Sequence, residues 1–328
     1  MHEPAPADIP LIDLDRWRYG NSTERAAVVA EVDAYLQGLG FLMVKSHGID
    51  SAVRDAARQA AHTFFALDSQ EKQRYRCPPD AYRGWIGPGL ESNASSYGVQ
   101  AEDVLIDLKE AYSVGPVFAG VEQYAQLAPR WYAPNIWPDA AVPGFSDALA
   151  AWLLAADRCT LVLLEILCSA LGLGEAWISA HCQHPMATVT ANLYPAVEQA
   201  GGWRVGAHTD FGTVTLLDRD TDNGLQVEVA PGTWIEAPRV EDALTVNLGE
   251  MMVLLSAGRW RANPHRVLAR AGAAANLSLV YFHDPDFDLE LPAQHADGRA
   301  VTAADFLGEK MDQIIQAPDC AHADAGAS

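Results

Sequence analysis

Val205-Gly206-Ala207-His208-Thr209-Asp210-Phe211-Gly212-Thr213-Val214-Thr215-Leu216-Leu217 carries an imidazole and a carboxylate one residue apart inside a run of small and β-branched side chains. Val205, Ala207, Thr213, Val214 and Thr215 favour extended backbone, and Gly206 and Gly212 bracket the pair. Residues i and i+2 of a strand point to the same face, so His208 and Asp210 are expected to project together into one space. Nitrogen and oxygen ligands in combination suit a divalent transition metal better than calcium or magnesium. Such a pair needs a third ligand.

That ligand is expected on another strand of the same stranded region. From Met186 onward, short β-like runs follow one another at 188–194, 205–210, 213–217, 225–229, 234–235, 244–248, 252–255, 265–268 and 277–282, separated by turns such as Asp222-Asn223-Gly224, Pro231-Gly232 and Asn263-Pro264. Many short strands at this spacing predict a closed double-sheet jelly roll. His265 opens one of them directly after a turn, which makes it the expected third ligand. The rival, His283, sits at a strand end running into Pro285, a setting that suits a surface or capping role. His47, alone in the Ser46-His47-Gly48 turn, reads as a hydrogen-bonding residue. Two histidines and one carboxylate form the facial triad that leaves coordination positions open for non-haem iron(II) and its oxidants. A zinc hydrolase would need a general base beside the metal. Glu250 is the conspicuous acid near the strands, and its setting reads as a turn.

The rest of the chain reads as scaffold. Ile9-Pro10-Leu11-Ile12-Asp13-Leu14 suits an edge strand, where proline is tolerated. Asn21 followed by Glu24 has the spacing of a capping box. Val28, Val32 and Leu36 then keep helical spacing until Gly40. A buried strand is expected at 41–44, a helix at 51–67, and a solvated turn or short helix at 71–74. The pattern is irregular over 77–143. Arg83-Gly84-Trp85-Ile86-Gly87-Pro88-Gly89 is its most loop-like part, serving as a connection or as part of a substrate mouth. A long apolar helix follows Gly144, with Phe145, Leu149, Trp152, Leu153, Leu163 and Leu167 on its period and Gly172 at its end. Near the C-terminus, Thr302 and Asp305 can cap a helix bearing Phe306, Leu307 and Met311, which packs over the barrel or serves as a lid. Residues 317–328 read as a frayed tail. The expected fold class is α+β with a mainly β core. The expected organisation is one domain over 1–328: a mainly helical part over 1–185 with the supporting helix 145–171, the jelly roll over 186–290, and a C-terminal helix and tail over 291–328.

Composition narrows the partners. The chain has 328 residues, 49% hydrophobic and 20% charged, and a formal charge of −21. That charge disfavours a nonspecific grip on nucleic acid or anionic lipid and leaves a small molecule as the expected partner. Nothing in the pattern demands more than a monomer or weak homo-oligomer. Cys77, Cys159, Cys168, Cys182 and Cys320 are odd in number and lack CxxC spacing, which argues against a disulfide framework or a thiolate zinc site. No secretory leader or membrane-length apolar run is read, so the expected location is the cytoplasm.

At this point the chain resembles the isopenicillin N synthase-like iron(II) and 2-oxoglutarate-dependent oxygenases. The signatures that carry the resemblance run through nearly the whole sequence: Ile9 to Leu14, Gly40-Phe41 with His47-Gly48-Ile49, Asp107-Leu108-Lys109-Glu110, Asn135-Ile136-Trp137-Pro138, Asn192-Leu193-Tyr194-Pro195, Gly224-Leu225-Gln226-Val227 and Asn247-Leu248-Gly249-Glu250. Tyr281-Phe282-His283-Asp284-Pro285 is similar to the corresponding stretch of the bacterial ethylene-forming enzyme. The resemblance implies a double-stranded β-helix flanked by helices, with His208, Asp210 and His265 as iron ligands. It also implies Asn192 and Tyr194 near a bidentate co-substrate, Ser278 at the serine of an Arg-x-Ser pattern, and O2 as oxidant. Most members oxidise a small molecule by hydroxylation, desaturation or ring formation while decarboxylating 2-oxoglutarate; isopenicillin N synthase instead takes all four electrons from its own substrate.

One departure stands out. The family anchors the distal carboxylate of 2-oxoglutarate with the arginine of Arg-x-Ser, and here the residues are Asn276-Leu277-Ser278. Asparagine offers only neutral hydrogen bonds, a loss of roughly 1–3 kcal/mol. Another basic residue substitutes, the co-substrate binds differently, or none is used. Arg204, Arg266 and Arg270 are nearest in sequence, but strand alternation turns Arg266 and Arg270 away from the face of His265.

Overall fold

Hydrophobic alternation along the central strands, and a helical apolar stripe on the segments before them, build two sheets with helices packed against one. The computed structural model describes residues 8–78, 81–89, 107–198, 203–222, 224–296 and 298–315. The larger sheet has eight strands in the spatial order β1 (Leu11–Asp13), β2 (Phe41–Lys45), β10 (Leu244–Leu248), β7 (Val214–Arg219), β12 (Asn276–His283), β5 (Thr188–Tyr194), β4 (Glu110–Val114) and β3 (Gly84–Ile86). The smaller runs β6 (Trp203–His208), β11 (His265–Leu268), β8 (Leu225–Ala230), β9 (Thr233–Glu236). Neighbours are antiparallel except β1 with β2. β13 (Glu290–Gln294) and β14 (Ala300–Thr302) form a separate hairpin.

The helices are α1 (Asp15–Arg18), α2 (Ser22–Gly38), α3 (Ser51–Phe65), α4 (Ser69–Gln73), α5 (Val121–Ala125), α6 (Phe145–Ala170), α7 (Glu175–His181), α8 (Glu250–Leu255) and α9 (Ala303–Ile315). α2 starts on the expected capping box: Asn21 accepts from Thr23 N and Glu24 N, and Glu24 accepts from Asn21 N. α6 buries Leu149, Trp152, Leu153, Leu163 and Leu167 in the main core, which it shares with α2, α3 and the outer face of the larger sheet. A second core lies between the sheets, with Phe41 and Met43 from β2, Tyr194 from β5, Val205 from β6, Val227 from β8 and Val267 from β11. The central strands of the larger sheet thus send alternate residues to a helix layer and to an interior between the sheets, and that interior holds the site.

Several expectations change. Residues 252–255 are helical, not a strand: they belong to α8, whose Met251 and Met252 are buried. A four-residue apolar run carries no period that separates helix from strand. Gly84–Ile86, read as loop, pairs with β4 and closes an edge of the larger sheet, so Trp85 and Ile86 are buried. α7 was not anticipated. Four of the eight strands, β1 to β4, come from before residue 186. The edge strand at the N-terminus, the helix after Asn21 and the long helix from Phe145 match the reading; the 317–328 tail and Cys320 lie outside the described residues.

Candidate metal centre

The register of β6 with β11 sets His208 directly opposite His265. β6 ends at His208, and the following turn carries Asp210 back toward both rings. His208 Nε2 lies 3.8 Å and His265 Nε2 3.7 Å from Asp210 Oδ1. These three donor atoms all fall within 4.8 Å of one another. The outer nitrogens fix the tautomer. His208 Nδ1 donates to Gly206 O at 2.8 Å and His265 Nδ1 to Asn263 O at 3.4 Å, so each Nε2 presents a lone pair. Asp210 Oδ2 accepts from Thr215 Oγ1 and from Asn247 Nδ2, each at 2.6 Å, which leaves Oδ1 to face the imidazoles. Burial alone would raise the Asp210 pKa; the two imidazoles and these hydrogen bonds reverse that and hold it low. Burial and the neighbouring His208 push His265 down to about 4. Both effects favour the protonation states in which these side chains could bind a metal.

The turn that holds Asp210 is clamped by backbone. Glu250 N donates to Asp210 O and Met251 N to Phe211 O, so the start of α8 caps the turn; Gly249 N donates to Thr213 O. A Cβ on Gly249 would stand 2.3 Å from Gly212 O, so only glycine allows this approach. Glu250 also accepts from Thr209 Oγ1 at 2.5 Å and pairs with Lys310 of α9 at 2.5 Å, tying the C-terminal helix to the residue between His208 and Asp210. α9 begins on the expected reciprocal cap, with Asp305 N donating to Thr302 Oγ1 and Thr302 N to Asp305 Oδ2. Leu307 and Met311 of this helix line the cavity over the donors.

The other sequence candidates divide. Asn192 and Tyr194 line the cavity, as do Lys109, Thr215 and Asn247. Asn276 stands opposite Tyr194 and Ser278 opposite Asn192 on β12, both fully buried. His47 is the hydrogen-bonding residue expected, accepting from Ile49 N at 3.0 Å. His283 is not at the surface: it is 1% exposed, and its Nδ1 donates to Thr213 Oγ1 at 2.9 Å while that hydroxyl donates to His283 O. Arg266 lies between the rings of Trp203 and Trp234, and Arg270 pairs with Glu236, so both turn from the cavity as alternation requires. Arg204 donates to the carbonyls of Pro195 and Ala274. Tyr82 and Arg83 line the cavity, so the segment read as connection or mouth supplies its wall. Thr215 and Asn247 went unread as partners of Asp210, although both lie within motifs quoted for the chain.

His283 and Asp284 titrate in opposite senses. Burial lowers His283 to about 4, and burial together with the Asp210 charge raises Asp284 to about 7. A depressed histidine costs stability as pH falls from its unfolded value near 6.5, because only the unfolded chain takes the proton. A raised carboxyl does the reverse: its contribution is fully present below the unfolded value and is lost as pH rises through the folded one. Asp284→Asn removes the second effect alone. Urea unfolding of the metal-free protein will show wild type gaining on this variant by roughly 1.4 kcal/mol per pH unit as pH falls from 7 to 4. A gap of constant size across that window would disprove the assignment.

Comparison with known proteins bears on the same residues. The profile of the non-haem dioxygenase in morphine synthesis N-terminal family matches 9–140, and that of the 2OG-Fe(II) oxygenase superfamily matches 182–285, the span holding all three donors. Validamycin A dioxygenase of Streptomyces hygroscopicus subsp. limoneus is 33% identical over 293 residues, covering 86% of this chain and 78% of that one. The chain belongs to the 2OG-Fe(II) oxygenase superfamily. A 2-oxoglutarate-dependent dioxygenase of a Dothideomycetidae species is 29% identical over 301 residues, covering 85% of this chain and 86% of that one. The crystal structure of a Neurospora crassa protein with alpha-KG and thymine superposes with a TM-score of 0.78 at 22% identity, covering 93% and 96% of the two chains. An oxygenase-family protein from Caulobacter crescentus gives 0.79 at 23%, covering 94% and 99%. The two sheets are therefore the double-stranded β-helix that the strand pattern predicted. This oxygenase is a non-haem iron(II) enzyme that uses 2-oxoglutarate and O2. The 2-oxoglutarate-dependent relatives decide the co-substrate alternatives in that direction; the narrower likenesses to isopenicillin N synthase and the ethylene-forming enzyme play no part in this result.

Proposed function

We propose that His208, Asp210 and His265 hold the iron(II), that Asn192, Tyr194, Asn276 and Ser278 form the co-substrate end of the cavity, and that the substrate is a small ring-bearing molecule oxidised by hydroxylation, desaturation or ring formation. The observation that carries this reading is the convergence of two Nε2 atoms and one Oδ1 on a cavity whose lining includes the aromatic side chains of Tyr82, Trp131, Phe211 and Phe282. Two nitrogens and one oxygen on one side of a metal fit iron(II) and leave the opposite positions open. Iron with 2-oxoglutarate and O2 supplies the oxidising power. The protein supplies the rest: Thr215 and Asn247 hold Asp210 in its one-oxygen pose, Gly206 and Asn263 fix both imidazoles, and α9 with the aromatic lining excludes water from the reacting centre. Relatives are named for validamycin A and for proline, and a structural neighbour was solved with thymine. Small size is common to the three, and the aromatic lining is this chain's own guide to the ring. A cytoplasmic location is part of the reading, supported by free, buried Cys159, Cys168 and Cys182; no helix among the described residues is long and apolar enough to cross a membrane.

A panel of ring-bearing and acyclic small molecules, scored by O2 uptake above that with 2-oxoglutarate alone, tests the substrate class. Ring compounds are expected to stimulate uptake. Trp131→Ala is expected to raise their KM about tenfold or more, with iron and 2-oxoglutarate affinities unchanged. Stimulation by acyclic compounds only, or a Trp131→Ala protein of unaltered KM, overturns the ring assignment.

A further inference from the structure

Four carboxylates are buried among the described residues: Asp107, Asp210, Asp218 and Asp284. Three have donors from the protein. Asp107 accepts from Gly206 N, Asp210 from Thr215 and Asn247, and Asp218 from Arg54 and Arg58. Asp284 differs. It is 7% exposed, its Oδ1 is buried without a hydrogen-bond partner, and among the described residues neither a donor nor a cation offsets its burial beside the Asp210 charge. A carboxyl left unmet in an interior of low dielectric is costly, so its place in the fold asks for a partner.

β12 puts this carboxyl at the substrate end of the cavity. Val280 and Phe282 line the cavity at alternate positions of the strand, and Asp284 continues the alternation just beyond its end. Phe282 stands opposite Thr215, whose hydroxyl holds Asp210, so it marks the level of the metal donors. Asn276, at the co-substrate end, comes six residues before Phe282, and Asp284 comes two residues after it. The two therefore fall on opposite sides of the metal level. Asp284 lies against the turn that carries Asp210: a Cβ on Gly212 would stand 2.0 Å from its Oδ1. It is not itself one of the converging donors.

The nearby cations are engaged elsewhere. Lys310 of α9 pairs with Glu250, Arg83 of the cavity wall donates to the carbonyls of Tyr82 and Trp131, and Lys109 bonds Asn192 at the co-substrate end. Iron(II), Asp210 and a doubly charged 2-oxoglutarate together make the centre negative, which favours a cationic over an anionic group beside Asp284.

We infer that Asp284 is a specificity-determining residue that receives a protonated amine of the substrate. The inference rests on the substrate reading above and names one group that the small molecule carries. A carboxylate accepts from an ammonium in a charge-assisted bond roughly twice as strong as one from a neutral hydroxyl. Fixing the nitrogen at one end of the molecule orients the carbon to be oxidised at the other.

The test uses cyclohexylmethylamine and hexylamine, each with its alcohol counterpart, cyclohexylmethanol and hexanol. Anaerobic calorimetric titration of the protein loaded with iron(II) and 2-oxoglutarate gives their Kd values. Wild type is expected to bind the amine of a pair about 10- to 100-fold more tightly than the alcohol. Asp284→Asn should lose at least tenfold of that preference, while its Kd values for iron(II), 2-oxoglutarate and the alcohols stay within a few-fold of wild type. Asp284→Ser gives the same reading if the asparagine variant does not fold. An amine preference that is absent from wild type, or that survives in the Asp284 variant, overturns the inference. The ring assignment is judged separately, by the cyclic pair against the acyclic pair. Tighter binding of the acyclic pair with the amine preference intact overturns the ring assignment alone, and binding of no probe overturns both.

Discussion

Asp210→Ala will abolish oxidation, and its affinity for iron(II) will fall by on the order of a thousandfold or more. The size follows from what the carboxylate does. It supplies the only anionic donor of the three, opposite two neutral imidazoles, and its Oδ2 is engaged by Thr215 and Asn247 so that Oδ1 is aimed before metal arrives. Removing it leaves two nitrogens, and it leaves the Asn247 amide and Thr215 hydroxyl without their acceptor. The same site allows a graded comparison. Thr215→Val or Asn247→Leu keeps all three ligands but frees the carboxylate to rotate, and each should weaken iron binding by about 10- to 100-fold. Equilibrium competition against a coloured chelator measures all of these. Circular dichroism separates lost ligation from lost fold. Asp210→Ala protein that takes up iron within tenfold of wild type would refute the donor assignment.

The convergence of His208, Asp210 and His265 was legible in sequence because that combination of residues is rare, although Asp210 lies on a turn beyond the end of β6 and not on the strand itself. A histidine two residues from an aspartate, with a second histidine opening a later strand, has few other uses. What holds those donors was much less legible. Thr215 and Asn247 reach Asp210 from β7 and β10, strands adjacent only in the folded sheet, and nothing local marks them. Lys109 sits in the irregular stretch between the helices, where no period announced a strand, and it comes to line the cavity just before β4 pairs with β5 in the folded sheet. His283 looked superficial because a proline follows two residues later; it is buried because β12 is flanked on both sides, by β5 and β7. Residues 252–255 went wrong for the opposite reason. Their apolar run was local and visible, but the force that makes them helical is the capping of α8 by the metal turn, a contact made across the fold.

The second large effect concerns stability. Arg54 of α3 grips Asp218 of β7 with two hydrogen bonds, Nε to Oδ2 at 3.0 Å and Nη2 to Oδ1 at 2.9 Å, and Arg58 adds a third at 2.5 Å. The Arg54 and Asp218 side chains are 6% and 1% exposed, so the pair is shielded from water. Burial by itself would lower the Arg54 pKa; Asp218 and then Asp242 raise it instead. Asp218→Ala strands Arg54 with the exposed Asp242 as its remaining acidic partner, and it is expected to destabilise folding by about 3–5 kcal/mol in denaturant titration. Arg54→Met combined with Asp218→Leu should recover most of that loss, because an apolar pair of similar volume needs no solvation. Asp218 faces α3 while its neighbours Leu217 and Thr215 face the cavity, so the ion pair fastens the strand that orients Asp210 without touching the metal site. Folded Asp218→Ala protein should therefore bind iron(II) within a few-fold of wild type. A loss of under about 1 kcal/mol would mean that the grip contributes no more than an exposed pair.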